Sequence, residues 1–150
     1  MATHRDIRRL AFQTLFQIDA RAGEDPEVIR ASLENAVEFK PKEQEKALVL
    51  ATGAYEHRHE SDEEMERLAP DWPAHRQAAV DRAILRLAHY EMSHTDISPK
   101  IVVNEAVELA KMFSTDKSPA FVNALLDKVL KRVLKERAAL DVGVSTEPEA

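Results

Sequence analysis

Cysteine is absent from this chain of 150 residues, and with it go disulfide frameworks, thiolate metal sites and cysteine nucleophiles. Glycine is scarce: only three interrupt the chain, and none lies at a hairpin turn between alternating apolar runs, so no β-sheet is signalled. The same scarcity removes the Gly-rich phosphate loop and the Gly-flanked serine elbow, two common catalytic devices. No run of about 18 apolar residues occurs, which leaves no transmembrane helix to expect. The opening MATHRDIRRL carries charges where a signal peptide needs an apolar core. A soluble, cytoplasmic protein with no membrane partner and no cofactor is the expectation. A surplus of positive charge is also missing. The formal net charge of -6 argues against wholesale, nonspecific coating of nucleic acid, which is driven by counterion release onto basic surfaces.

What is present is helical periodicity, clearest between Ser98 and Lys131. Two Ser-Pro pairs, Ser98-Pro99 and Ser118-Pro119, predict two helix starts, with serine as N-cap and proline at the first helical position. Val102, Val103, Ala106, Leu109, Ala110 and Phe113 mark the core face of the first helix. Val122, Leu125, Leu126, Val129 and Val133 mark that of the second, whose outer face carries Lys128, Lys131, Arg132 and Lys135. Further helices are predicted from about Arg5 to Arg21, from Asp25-Pro26 to about Phe39, from Lys42 to about His59, and from about Ala74 to Met92. The acidic stretch through Asp62, Glu63, Glu64 and Glu66 either extends the third of these helices or starts a short one at Ser61. APDWP, Ala69 to Pro73, breaks the pattern twice. The expected fold is all-α: a bundle of about seven helices in two packed three-helix subdomains hinged near Trp72. It occupies residues 1–140, with 141–150 as a disordered acidic tail.

Candidate sites are few, and none is catalytic. His57 and His59 point about 200° apart on a helix and cannot chelate together. His75, His89 and His94 lack metal-binding spacing, so no metal site is expected. Glu91 lies near the apolar stripe of its helix, where a carboxylate held by a neighbouring donor is the favoured reading over an acid–base group. Arg5, Arg9, Gln13 and Phe16 share one side of the first helix. They form either a solvated face or a strip where arginines meet phosphate and the ring stacks on a base. Lys117 and Ser118 stand at a helix N-terminus, whose free N–H groups and partial positive charge suit a phosphate.

Three ordered segments carry a resemblance: VDRAILRLAHYEM from Val80, PKIVVNEAVELAKMF from Pro99 and DKSPAFVNALLDKVL from Asp116. With RRLAFQTLFQID at the first helix, they make the chain resemble the NusB family of transcription antitermination factors. The resemblance implies two perpendicular three-helix subdomains and no catalysis. It also implies binding of boxA RNA of ribosomal operons, together with the ribosomal protein that serves as NusE, in an RNA polymerase complex with other Nus factors. Carried over by position, Arg5, Arg8, Arg9, Gln13 and Phe16 belong to the RNA surface, as do Lys117, Ser118 and Phe121. Asp81 and Arg82 match the region that meets the partner and borders the RNA. The chain departs from the family at Ser114 and Ala124, where glycine is common, and at Lys117, where an acid is common. Two alternatives stand beside this reading. One is an RNA-docking domain like that fused to RNA cytosine methyltransferases, which the absence of a Rossmann-like segment disfavours. The other is a protein-interaction bundle or homodimer.

Overall fold

The apolar periodicities become seven α-helices and no strand among the described residues of the computed structural model, which covers residues 2–146 with side chains as far as Asp141. Helix α1 (His4–Ala20) starts at a reciprocal cap. The Thr3 hydroxyl accepts from the Asp6 N–H at 3.1 Å, and the Asp6 carboxylate accepts from the Thr3 N–H at 2.9 Å, satisfying two groups that the helix end would leave orphaned. It stops where Ala22 and Gly23 turn left-handed, at φ 54° and 79°.

Helix α2 (Pro26–Glu34) ends five residues before the expected Phe39. Asn35 takes the C-cap, and Phe39 turns into the core from the following loop, 5% exposed. The predicted third helix is two. Helix α3 (Pro41–Glu56) stops at His57, and α4 (Arg58–Leu68) carries the acidic stretch as a separate element, starting three residues before Ser61. After the Pro-bounded Trp72 comes a single 3-10 turn, Ala74–Arg76, so α5 (Ala79–His94) starts five residues later than Ala74. Helices α6 (Pro99–Phe113) and α7 (Ser118–Thr146) follow the two Ser-Pro signals. The caps differ from the expectation, because Ser98 makes no side-chain cap bond and the Ser118 hydroxyl is used elsewhere. Helix α7 runs past Leu140, so 141–146, expected to be disordered, is helical in backbone. The rest of that tail, 147–150, lies outside the described residues.

Helix α5 is the shared element. It packs against α1, α3, α4, α6 and α7, burying Ile84, Leu85, Leu87 and Met92 at 1% exposure each. The two helix groups therefore meet along α5, and Trp72, expected at a hinge, stands 54% exposed at the surface. Close approach of α3 to α5 needs glycine at position 53, since a Cβ there would run into the Tyr90 ring. No described helix is long and apolar enough to cross a membrane.

Candidate nucleic-acid interface

Most of the charges that α5 carries are already held inside the protein. Arg82 donates to one Asp19 oxygen at 2.7 Å and to the Ala74 carbonyl at 3.2 Å. Arg86 donates to the other Asp19 oxygen at 3.0 Å and to both Asp62 oxygens, at 2.9 and 2.7 Å. Burial opposes the charge on Asp19, but the two guanidiniums outweigh it and hold the carboxyl below its ordinary range. One helical turn further on, His89 bonds Glu64 at 2.8 Å, and Arg132 forks onto both Glu64 oxygens at 2.7 Å. Burial raises the Glu64 carboxyl, yet these donors bring it down to about 2.

Arg8 is the arginine that the family likeness put on the RNA surface and that the fold puts inside. Its Nε donates to Glu91 at 2.7 Å, with both side chains under 10% exposed. Burial pushes the Glu91 carboxyl up, and Arg8 pulls it part of the way back. Glu91 is thus held by a neighbouring donor, and Arg8 is committed to it through its Nε.

Asp81 is similarly committed. It is buried, and it accepts from the Ser114 hydroxyl at 2.6 Å and the Ser118 hydroxyl at 2.9 Å. One carboxylate at the start of α5 thereby clasps the end of α6 to the start of α7. The α7 N-terminus, expected as a seat for phosphate, already faces this negative charge through its first residue. Ser114, one of the positions expected to depart from the family pattern, supplies one of the two donors.

Around this clasp lies a groove of about 390 Å³ lined by Trp72, Arg76, Gln77, Lys117 and Phe121, with Asp81 and Ser118 at its base. Lys117 is exposed, and among the described residues no ion pair engages it. Arg76 has a 3.4 Å bond to the Asp71 carbonyl and likewise no carboxylate partner among the described residues. A second groove, of about 550 Å³, takes in Gln13, Phe16, Val80 and Phe113. The two grooves flank the first turn of α5, Val80 bordering one and Asp81 the other. Helix α1 is tied beside α6 by Phe12 against Phe113, ring centres 5.1 Å apart, and by Arg5, whose guanidinium forks onto Glu105 at 2.9 and 3.1 Å. Arg5 is mostly solvated, so this pair is weak and its arginine is free to exchange partners. Arg9 lies 3.7 Å from Asp6, and Gln13 and Phe16 are exposed.

The fold therefore brings Lys117 and Phe121 together, and Gln13 with Phe16 nearby, while it commits Arg8, Asp81, Arg82 and Ser118 to internal bonds. Sequence reasoning passed over Trp72 and Arg76. A lone tryptophan between two prolines was the available signal, because such a ring sits in a loop and cannot be counted on to reach a core.

The arrangement, a helical bundle with an exposed ring beside unpaired cations, has the features of a binding module for anionic ligands with stackable faces. A family profile described as the NusB family matches residues 5–131, and the chain belongs to the NusB family. The transcription antitermination protein NusB of Symbiobacterium thermophilum is 43% identical over 152 aligned positions, covering 95% of this chain and 98% of that protein. Among solved structures, NusB of T. maritima superposes with a TM-score of 0.75 at 34% identity, covering 87% of this chain and 92% of that one. A chain from a structure described as antitermination factors NusB and NusE in complex with dsRNA gives 0.74 at 28% identity, covering 85% and 96%.

Proposed function

We propose that this protein is a transcription antitermination factor that binds boxA-type RNA together with NusE and promotes processive transcription of rRNA operons in the cytoplasm. The domain responsible spans residues 1–140. The observation that carries the reading on this chain is the groove in which exposed Trp72 and half-buried Phe121 stand beside Lys117 and Arg76. Rings of this kind accept unstacked bases of a single strand, and the cations meet its phosphates. Gln13, Phe16, Arg5 and Arg9 extend the surface across the start of α5 and along α1. Arg8, Asp81, Arg82 and Ser118 serve by holding those elements in place. The basic partner compensates for a net charge of -6.

Trp72 is the sole tryptophan, so its emission reports on the groove directly. Titrating a boxA-like single strand should quench it, weakly for the protein alone and at much lower RNA concentration with NusE. Trp72→Ala should weaken RNA binding by about 1–3 kcal/mol, the range for one stacked base. Tight RNA binding with unaltered tryptophan emission would place the RNA elsewhere. Absence of RNA binding with and without NusE would overturn the function.

A further inference from the structure

The break between α3 and α4 leads to a second site. It lies toward the other end of α5, about 20 Å along the helix from Asp81 at the usual rise per residue. There His57, at the break, Glu60, on the first turn of α4, and His94, the last residue of α5, each place one potential ligand atom within 4.8 Å of the others. We propose that these three side chains form a binding site for a first-row divalent cation, with Zn2+ as the best fit.

Four observations bear on it. Two imidazoles and one carboxylate form a donor set that such metals take, with further positions left to water. The His57 Nδ1 lies 3.0 Å from the Gly53 carbonyl. A neutral ring donating there carries its lone pair on Nε2, the second-shell arrangement that fixes the tautomer of a metal-bound histidine. The rings pack against one another, His57 tilted against His94 with centroids 4.1 Å apart, and Tyr90 tilted against His57 at 5.5 Å and stacked on His94 at 5.4 Å. Tyr90 reaches that position because residue 53 is glycine. Finally, the His94 Nε2 and a Glu60 oxygen are 2.9 Å apart. A cation bound between them would take the place of the bridging proton.

Bond lengths of about 2.0–2.1 Å put tetrahedral ligand atoms roughly 3.3 Å apart, so no pair has to close by more than roughly 1.5 Å, and the His94–Glu60 pair at 2.9 Å opens slightly. Glu60 and His94 are exposed and His57 is half-buried, which leaves their outer side chains room to rotate. Spacing along the chain does not announce this site, since its histidines are 37 residues apart. The neighbouring His59 is not one of the three ligands.

The test is calorimetric titration of chelator-treated protein with ZnCl2, alongside thermal melting with and without the metal. One saturable site and a raised melting temperature are expected. His57→Gln, Glu60→Gln and His94→Gln should each weaken binding at least tenfold, the lower end of the loss seen when only a second-shell partner is removed. His59→Gln and His75→Gln should leave it unchanged. In the unaltered protein, Zn2+ should shift the ring resonances of His57 and His94 together, which keeps the proposal testable if a variant fails to fold. No saturable site, equal losses in the control variants, or ring shifts at other histidines would overturn it.

Discussion

Along α5, every arginine has its carboxylate: Arg82 and Arg86 share Asp19, and Asp62 takes the rest of Arg86. At the groove beside its first turn, Lys117 and Arg76 have none among the described residues. The two regions use the same residue types and are close in space, and they differ in whether the counter-charge is internal. A buried guanidinium must be paired to be tolerated, whereas an exposed cation beside an aromatic ring gains its partner from outside. Residue type alone does not separate architecture from interface; the origin of the opposing charge does.

The comparison can be broken most severely at Arg8. Removing the guanidinium in Arg8→Ala strands Glu91 in the interior and should cost about 3–5 kcal/mol of stability, read by urea denaturation. The double change Arg8→Met with Glu91→Leu should restore most of it, since an apolar pair of similar volume needs no desolvation. A cost below about 1 kcal/mol for the single variant would mean that Arg8 reaches solvent and belongs with the groove.

Asp81 comes next. Losing a charged acceptor of two hydroxyls in Asp81→Ala should cost about 1.5–3 kcal/mol and loosen the start of α7, visible as faster amide exchange around Ser118. RNA affinity should fall as a consequence of a displaced Lys117. If NusE binding fell while stability and exchange held, Asp81 would be a direct partner contact instead.

On the groove side, Lys117→Glu should leave the melting temperature nearly unchanged and weaken RNA binding by about 1–2 kcal/mol. It should also flatten the dependence of log affinity on log salt by about one unit. The remaining effect is one of pH. Glu64 sits at about 2 in the folded protein, below the usual 4.5. Its contribution is fully present above the unfolded value and is lost as pH falls from that value toward 2. Glu64→Gln should therefore be less stable than the parent at neutral pH, with the gap closing in acid. A gap independent of pH would mean that the carboxylate is not selectively held charged.

The helical class and the positions of α6 and α7 were legible because apolar spacing and Ser-Pro pairs act locally. The break at His57 was half legible, for the acidic stretch allowed a separate helix at Ser61, but no proline or glycine stands at the break to fix its position. Arg8 was more readable than the family likeness suggested. Ala11, Phe12 and Leu15 follow it by three, four and seven residues, which puts it on the core stripe of α1. Glu91 stands on the core stripe of α5 in the same way, and two lone opposite charges on facing core stripes point to each other. The groove was half legible. Lys117, Phe121, Gln13 and Phe16 come from motifs, but Trp72 and Arg76 join them only through a loop whose path no periodicity describes.

The Asp81 clasp has one further consequence, which concerns the polarity of a docked strand. Its carboxylate makes the groove negative at the base, while Lys117 and Arg76 make the rim positive. A nucleotide entering backbone first would carry its phosphate toward a like charge. Entering ring first, it meets Trp72 and Phe121 and leaves the phosphate to the rim. In the proposed RNA-bound state, the same carboxylate that fastens two helices would favour bases facing in and sugar-phosphate facing out.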